Sequence, residues 1–121
     1  MVFGWRQYLT LAHRLAGEPL GSLSEAESRS SVSRAYYSLF HLAMASAEGF
    51  VSRGVGDDHV ALQKHWQRGK RASIGFWLRD LHQWRLQCDY DDVIDNLQEM
   101  VELALTTAEQ ILSILPKPKV D

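Results

Sequence analysis

Apolar residues recur at helical spacing along most of the chain, and no stretch alternates as a half-buried strand does. The first periodic segment comprises Trp5, Tyr8, Leu9, Ala12, Leu15 and Ala16. Gly17 and Pro19 follow it directly, and both residue types commonly end helices. The pattern therefore predicts a first helix that ends near Ala16.

A longer helix is predicted from about Ser24 to about Phe50, where Ser24 and Glu27 have the spacing of a capping box. Its apolar residues form two stripes about 100° apart. The first stripe comprises Val32, Ala35, Tyr36, Leu39, Ala43, Ser46 and Phe50, and the second comprises Tyr37, Phe40, Met44, Ala47 and Val51. We expect the first stripe to face the core. In a monomer the second would be left in water, which favours a dimer or partner surface at Tyr37, Phe40 and Met44.

Three further helices complete the prediction. After glycines at positions 49, 54 and 56, Asp57 or Asp58 can cap a third helix that ends near Arg68. A fourth helix carries Ile74, Trp77, Leu78, Leu81, Trp84 and Cys88 on one face, and a fifth is expected from near Asp91 to Pro116. The expected fold is all-α, an up-and-down bundle of four or five helices in a single domain, with a core over residues 5–115 and a tail over 116–121. The second and fifth helices are its expected antiparallel core pair.

The composition limits the functions open to such a bundle. Thirteen Lys or Arg against fifteen Asp or Glu give a formal charge of −2, so a polyanion would have to bind a local patch. The single cysteine, Cys88, cannot form an intramolecular disulfide, and no apolar run approaches the roughly 20 residues of a membrane span. We therefore expect a cytoplasmic protein that does not enter the membrane.

A local motif lies in the second predicted helix, where residues 33–41 read Ser-Arg-Ala-Tyr-Tyr-Ser-Leu-Phe-His. It resembles the Arg-Ala-Tyr-Tyr-x-x-Phe-His signature of the HEPN family, the higher eukaryote and prokaryote nucleotide-binding domains. Residues 78–92, with Leu81, Arg85 and an Asp-Tyr-Asp-Asp run from residue 89, resemble the late segment of that family. His59 and Gly69 also occupy positions where similar sequences have these residues. The resemblance covers roughly residues 5–115.

The resemblance implies a dimeric helical bundle, frequently encoded beside a minimal nucleotidyltransferase, that acts in prokaryotic toxin–antitoxin or defence systems. Many HEPN proteins are metal-independent ribonucleases, with an Arg followed four to six residues later by a His in a late helix. The corresponding segment here, Arg85 to Tyr90, has the Arg and the Tyr but no His. We therefore expect a nucleotide- or RNA-binding homodimer without a cofactor, and leave its catalytic status open.

Arg34 and His41 are the candidate catalytic residues of the alternative, a metal-independent endoribonuclease. Seven residues are nearly two helical turns, so both side chains share one face about 10 Å apart, with Tyr37 between them. An imidazole can take a hydroxyl proton and a guanidinium can stabilise charge on phosphate. The competing interpretation makes both residues polar members of an interface.

Candidate phosphate ligands lie in a basic stretch, since residues 53–85 hold seven Lys or Arg against three Asp. The cations Lys64, Arg68, Lys70 and Arg71, with His65 and Trp66 among them, could form a basic, aromatic-bearing patch that binds phosphate. A run of this kind can also be simply a solvated face.

Arg85 is a further candidate because it falls on the apolar face of the fourth helix, where a charge needs a partner. The favoured interpretation is an ion pair with Asp89, Asp91 or Asp92 that locks the turn between the fourth and fifth helices. The functional alternative is that Arg85 holds phosphate in a dimer cleft, with Tyr37 as another ligand-binding residue.

Two other interpretations concern the acidic segment of the chain and metal binding. Residues 89–109 hold seven acids and no Lys or Arg, so a structural adaptor that binds a basic partner is a third hypothesis. We expect no metal site, because His59 and His65 are six residues apart on different sides of a helix and Cys88 has no nearby cysteine.

Overall fold

The computed structural model describes residues 2–54 and 56–117. Within these ranges the chain forms five α-helices and no strand. The helices are α1 (Arg6–Ala16), α2 (Glu25–Ser46), α3 (Asp58–Gln67), α4 (Ala72–Tyr90) and α5 (Leu97–Ile114). This up-and-down bundle confirms the all-α prediction. Among the described helices, none combines the length and the apolar character needed to cross a membrane.

The centre of the bundle is α2, which packs against α1, α4 and α5. Its core positions Val32, Ala35, Leu39 and Ala43 are inaccessible to solvent. The predicted pairing of α2 with α5 is present, but α1 and α4 contact α2 more extensively. The short α3 packs its backbone mainly on α4 and reaches α2 through the side chains of His59 and Trp66.

The C-terminal end of α1 and the start of α2 lie where the sequence predicts them. Gly17 ends α1 with a positive φ of 84°, and a Cβ atom there would lie 2.6 Å from Ser22 Oγ, so glycine is required. Ser24 Oγ accepts a hydrogen bond from the Glu27 amide at 3.1 Å, and the Glu27 carboxylate accepts one from the Ser24 amide at 3.1 Å. The predicted capping box is therefore confirmed.

Other helix boundaries differ from the prediction. Helix α2 ends at Ser46, before Phe50, where Ala47 turns to extended backbone and Ser46 Oγ donates to the Pro116 carbonyl at 3.0 Å. Neither aspartate caps α3 through its side chain. The Asp58 carboxylate instead accepts hydrogen bonds from the Ser52 hydroxyl and the Arg53 amide, so it anchors the α2–α3 loop.

The predicted start of α5 near Asp91 is wrong, because the helix begins at Leu97. The cause is Arg29 on α2, a residue that sequence reasoning missed. Its guanidinium donates to the backbone carbonyls of Cys88, Asp91 and Asp92 at 3.0, 2.5 and 3.1 Å. These bonds use the carbonyl groups at the end of α4 and hold the α4–α5 turn in a non-helical path.

The second stripe of α2 is largely covered within the chain itself. Phe40 is only 7% exposed, because the ring of His59 on α3 stacks on it with centroids 4.5 Å apart, and Ala47 is fully buried. Tyr37 and Met44 are half-buried, and Val51 is 76% exposed. The expectation of an open ridge was therefore wrong for Phe40 and Ala47.

Helices α3 and α4 meet at Gly75, which is buried. A Cβ atom at this position would lie 2.4 Å from the Gln63 carbonyl oxygen and 2.8 Å from the Gln67 amide nitrogen. Both atoms belong to the backbone of α3, so the missing side chain sets how closely the two helices approach. This contact holds α3 in its place on the bundle.

Candidate functional site

A groove of about 520 Å³ runs between α3 and the preceding loop. We call it the α3 groove. Its charged and polar lining consists of Arg53, Asp57, Lys64, His65 and Arg68, and its apolar lining includes Phe50, Val51 and Val60. Lys64 is exposed on α3, and the exposed Arg68 lies four residues later, directly after the last residue of the helix.

A smaller depression of about 300 Å³ continues the α3 groove around the end of α3. It shares His65 with the α3 groove and adds Lys70 and Arg71, with Glu48 as its one acidic residue. The structure therefore places all four predicted basic residues of this stretch, and also Arg53, around two adjoining depressions that share His65. Within the described part of the chain, none of these five cations forms an ion pair with an acidic side chain.

The aromatic component of the basic patch differs from the prediction. Trp66 is only 8% exposed, and its indole Nε1 donates to the Ala43 carbonyl at 3.3 Å. It is a core residue and cannot stack on a base in solution. The aromatic side chain that lines the groove is Phe50, whose ring meets the ring of His65 edge-on at 5.6 Å.

Arg34 and His41, the candidate catalytic pair, pack on aromatic rings from the N-terminal region. The Arg34 guanidinium carbon lies 4.8 Å from the ring centre of Tyr8, and the imidazole of His41 stacks on Trp5 with centroids 3.5 Å apart. Burial is the largest cause of the lowered pKa of His41, and the neighbouring His59 lowers this pKa further. His41 lines a separate groove of about 340 Å³ together with Tyr37, Phe40, Met44, Asp58 and His59. We call it the α2 groove.

Arg85 forms an ion pair within α4, and it is Arg29 that binds the α4–α5 turn. The Arg85 Nε atom lies 3.0 Å from Asp89 Oδ2, one helical turn away, and its side chain is 14% exposed. The favoured interpretation, an Arg85 pair that locks the α4–α5 turn, was therefore right about the partner and wrong about the role. The guanidinium carbon also lies 5.0 Å from the ring centre of Tyr37, so two predicted ligand-binding residues are in contact.

A cluster that sequence reasoning missed joins α2, α3 and α4 behind Tyr37. The imidazoles of His59 and His82 stack face to face, with centroids 4.9 Å apart and planes 5° apart. The buried hydroxyl of Tyr36 lies 2.5 Å from His59 Nδ1. The sequence held one signal for this cluster, since His82 and Arg85 are three residues apart and share a face of α4. We call it the His59–His82 cluster.

Burial controls the protonation of this cluster. It is the largest cause of the lowered pKa of His59 and of the pKa of about 4 at His82, and the positive charge of Arg85 lowers both further. Burial likewise raises the pKa of Tyr36 well above its ordinary value. At neutral pH both imidazoles and the phenol are therefore uncharged, and Arg85 carries the local positive charge.

The arrangement offers cationic and hydrogen-bond donor groups rather than metal ligands. No group of three or more His, Cys, Asp or Glu side chains suited to holding a metal ion occurs among residues 2–54 and 56–117. Comparison with family models, curated proteins and solved structures gives no match. The HEPN resemblance therefore stays a prediction from the motif residues, and functional inference depends on the groove and the cluster.

Proposed function

We propose that this chain is a HEPN-like, dimeric nucleotide- or RNA-binding subunit of a prokaryotic toxin–antitoxin or defence system, paired with a minimal nucleotidyltransferase. The α3 groove holds the phosphate groups of the ligand. One observation carries the proposal: Arg53, Lys64 and Arg68 line a single groove without an acidic partner in the described part of the chain. Arg and Lys side chains in such a position supply most of the affinity for phosphate.

The charge distribution supports this groove as the binding surface. The whole chain carries a formal charge of −2, whereas residues 53–71 hold five Lys or Arg against two Asp. One of these aspartates, Asp58, is buried and already accepts two hydrogen bonds. An anionic ligand is therefore attracted to this surface and repelled by the acidic segment 89–109. The apolar side chains of Val51 and Val60 beside the cations offer contacts for a base or a sugar.

The dimer component of the proposal concerns the α2 groove. Tyr37 and Met44 are half-buried and line this groove, with Phe40 beneath them. A second copy that covers this groove would bury the remaining exposed surface of Tyr37 and Met44. The nucleotidyltransferase partner is inferred from the motif resemblance alone. Light scattering tests the dimer, and the mass of a single chain at micromolar concentration would contradict it.

The endoribonuclease hypothesis at Arg34 and His41 receives no support from the geometry. Metal-free cleavage needs the base and the cation to face one scissile phosphate. Here the guanidinium lies on Tyr8 and the imidazole lies on Trp5. We therefore do not assign cleavage to this pair.

Binding of a short fluorescent RNA, followed by anisotropy at low salt, tests the α3 groove. The variant Lys64→Gln/Arg68→Gln should bind about tenfold more weakly, because two phosphate contacts are lost. The matched control is Arg6→Gln/Arg14→Gln, which removes the same charge from exposed positions of α1. A mononucleotide added as competitor shows whether one phosphate-bearing unit suffices. Equal loss in both double variants, or no loss in either, would contradict the assignment.

A further inference from the structure

His65 is shared by two depressions at the end of α3, each with its own cations. Its imidazole lines both the α3 groove and the smaller adjoining depression, and its ring meets the ring of Phe50 edge-on at 5.6 Å. Lys70 and Arg71 line the smaller depression, which has Glu48 as its one acid among the described residues. We call it the Lys70 depression. The α3 groove likewise holds three Lys or Arg against one Asp, so cations outnumber acids in both depressions.

The Lys70 depression lies beside the start of α4. Lys70 and Arg71 are exposed, and neither forms an ion pair in the described part of the chain. Helix α4 begins directly after them at Ala72, with no side-chain cap and no acidic residue in its first turn. The first amide groups and the positive dipole end of this helix therefore add to the charge of the two cations. The Lys70 depression thus favours a phosphate group of its own, separate from one held in the α3 groove.

The α3 groove offers space and apolar contacts in addition to charge. Its volume is about 520 Å³, and Val51 and Val60, which line it, are 76% and 49% exposed. Apolar side chains of this kind can pack against the face of a base. The faces of bases are accessible in a single strand, whereas in a duplex they are stacked on one another. The groove therefore favours a single strand or a free nucleotide over a duplex.

We propose that the two depressions bind successive nucleotides of a single-stranded RNA, with one nucleotide in the α3 groove and the next phosphate at Lys70 and Arg71. This binding mode rests on the proposed function and narrows its ligand to a strand of at least two nucleotides. A nucleoside monophosphate would leave one of the two cation groups without a phosphate.

The separation of the two cation groups favours a strand over a nucleoside triphosphate. In a triphosphate the charges follow one another directly, so they fit one compact site. The α3 groove and the Lys70 depression have only His65 in common among the described residues. A sugar–phosphate chain, in which a sugar separates successive phosphates, can cross His65 from one depression to the other. The imidazole can also exchange hydrogen bonds with the hydroxyl groups of that sugar.

Competition with oligouridylates of defined length tests the two depressions in the full chain. Chains of one, two and three nucleotides, each with a 5′-phosphate, displace a short fluorescent RNA, and anisotropy is followed at low and constant ionic strength. The two-nucleotide chain should bind about tenfold more tightly than the monophosphate, because it contacts a second group of cations. Uridine triphosphate is the comparison for a ligand whose phosphates are contiguous.

The variant Lys70→Gln/Arg71→Gln isolates the second depression. It should remove the gain of the two-nucleotide chain and leave binding of the monophosphate and the triphosphate unchanged within about twofold. Lys64→Gln/Arg68→Gln should instead weaken every ligand. An equal loss for the triphosphate and the two-nucleotide chain in Lys70→Gln/Arg71→Gln would overturn the assignment to a strand.

The same competition distinguishes failure of this binding mode from failure of the proposed function. If the monophosphate binds as tightly as the two-nucleotide chain and Lys64→Gln/Arg68→Gln weakens both, the α3 groove still binds phosphate, but the second nucleotide position is refuted. If no uridylate displaces the RNA, both proposals are refuted.

Discussion

Replacing Gly75 with alanine changes the free energy of unfolding in two opposing ways. Alanine in a helix interior is favoured over glycine by about 1 kcal/mol. Against this, the new Cβ atom would lie 2.4 Å from the Gln63 carbonyl oxygen and 2.8 Å from the Gln67 amide nitrogen. Both are backbone atoms, so no side-chain rotation relieves the clash and α3 has to move away from α4.

The clash should outweigh the helix preference. Overpacking costs about 1–3 kcal/mol, and a contact with rigid backbone belongs at the upper end of that range. Subtracting the helix gain leaves a net loss of about 2 kcal/mol in the free energy of unfolding, or a fall in Tm of about 8 °C for a chain of this size. Urea denaturation followed by circular dichroism measures the first quantity, and thermal unfolding measures the second.

Gly69→Ala is the matched control, because the chemical change is the same and the surroundings differ. A Cβ atom there would meet only the Trp66 carbonyl oxygen, at an ordinary 3.6 Å. We expect this variant to be as stable as the wild type or up to about 1 kcal/mol more stable, because alanine restricts the unfolded chain. The reasoning is refuted if Gly75→Ala is as stable as Gly69→Ala.

Two further predictions concern Arg29 and the buried histidines. Arg29→Met should lower the free energy of unfolding by about 3 kcal/mol, because one charged donor now satisfies three carbonyl groups; urea titration measures this, and an effect no larger than that of the exposed control Arg14→Met would contradict it. The pKa values of His59 and His82 are lowered in the folded state, so the unfolded chain binds more protons. The two histidines therefore contribute fully to the free energy of unfolding above the unfolded pKa of about 6.5. This contribution is lost as the pH falls toward 4. Between these pH values the Tm should fall, and it should fall less in His82→Gln than in the wild type. An equal fall in Tm in the two proteins would contradict the prediction.

The helices were predictable where local sequence decides the structure. The capping box at Ser24 and the glycine that ends α1 depend on residues close in sequence, and both were found. The start of α5 was missed because Arg29, some sixty residues earlier, binds the carbonyl groups of the α4–α5 turn. Pattern analysis contains no information about a contact of that kind.

The candidate sites were likewise predictable only where their residues lie close together in the sequence. Basic residues close together on one short helix and its loop were assigned to one patch from sequence, and they do share a surface. The His59–His82 cluster combines three helices, so its members look unrelated along the chain. The burial of Phe40 and Trp66 also depends on packing between α2 and α3, which helical periodicity alone cannot give.

The salt dependence of RNA binding tests the central claim, that the α3 groove contacts phosphate, most directly. The logarithm of the binding constant falls linearly with the logarithm of salt concentration, with a slope of about 0.7 per phosphate contact for a single strand. Lys64→Gln/Arg68→Gln should therefore reduce the magnitude of the slope by about 1.4, and Arg6→Gln/Arg14→Gln should leave it unchanged. An unchanged slope in the Lys64→Gln/Arg68→Gln variant would contradict the account.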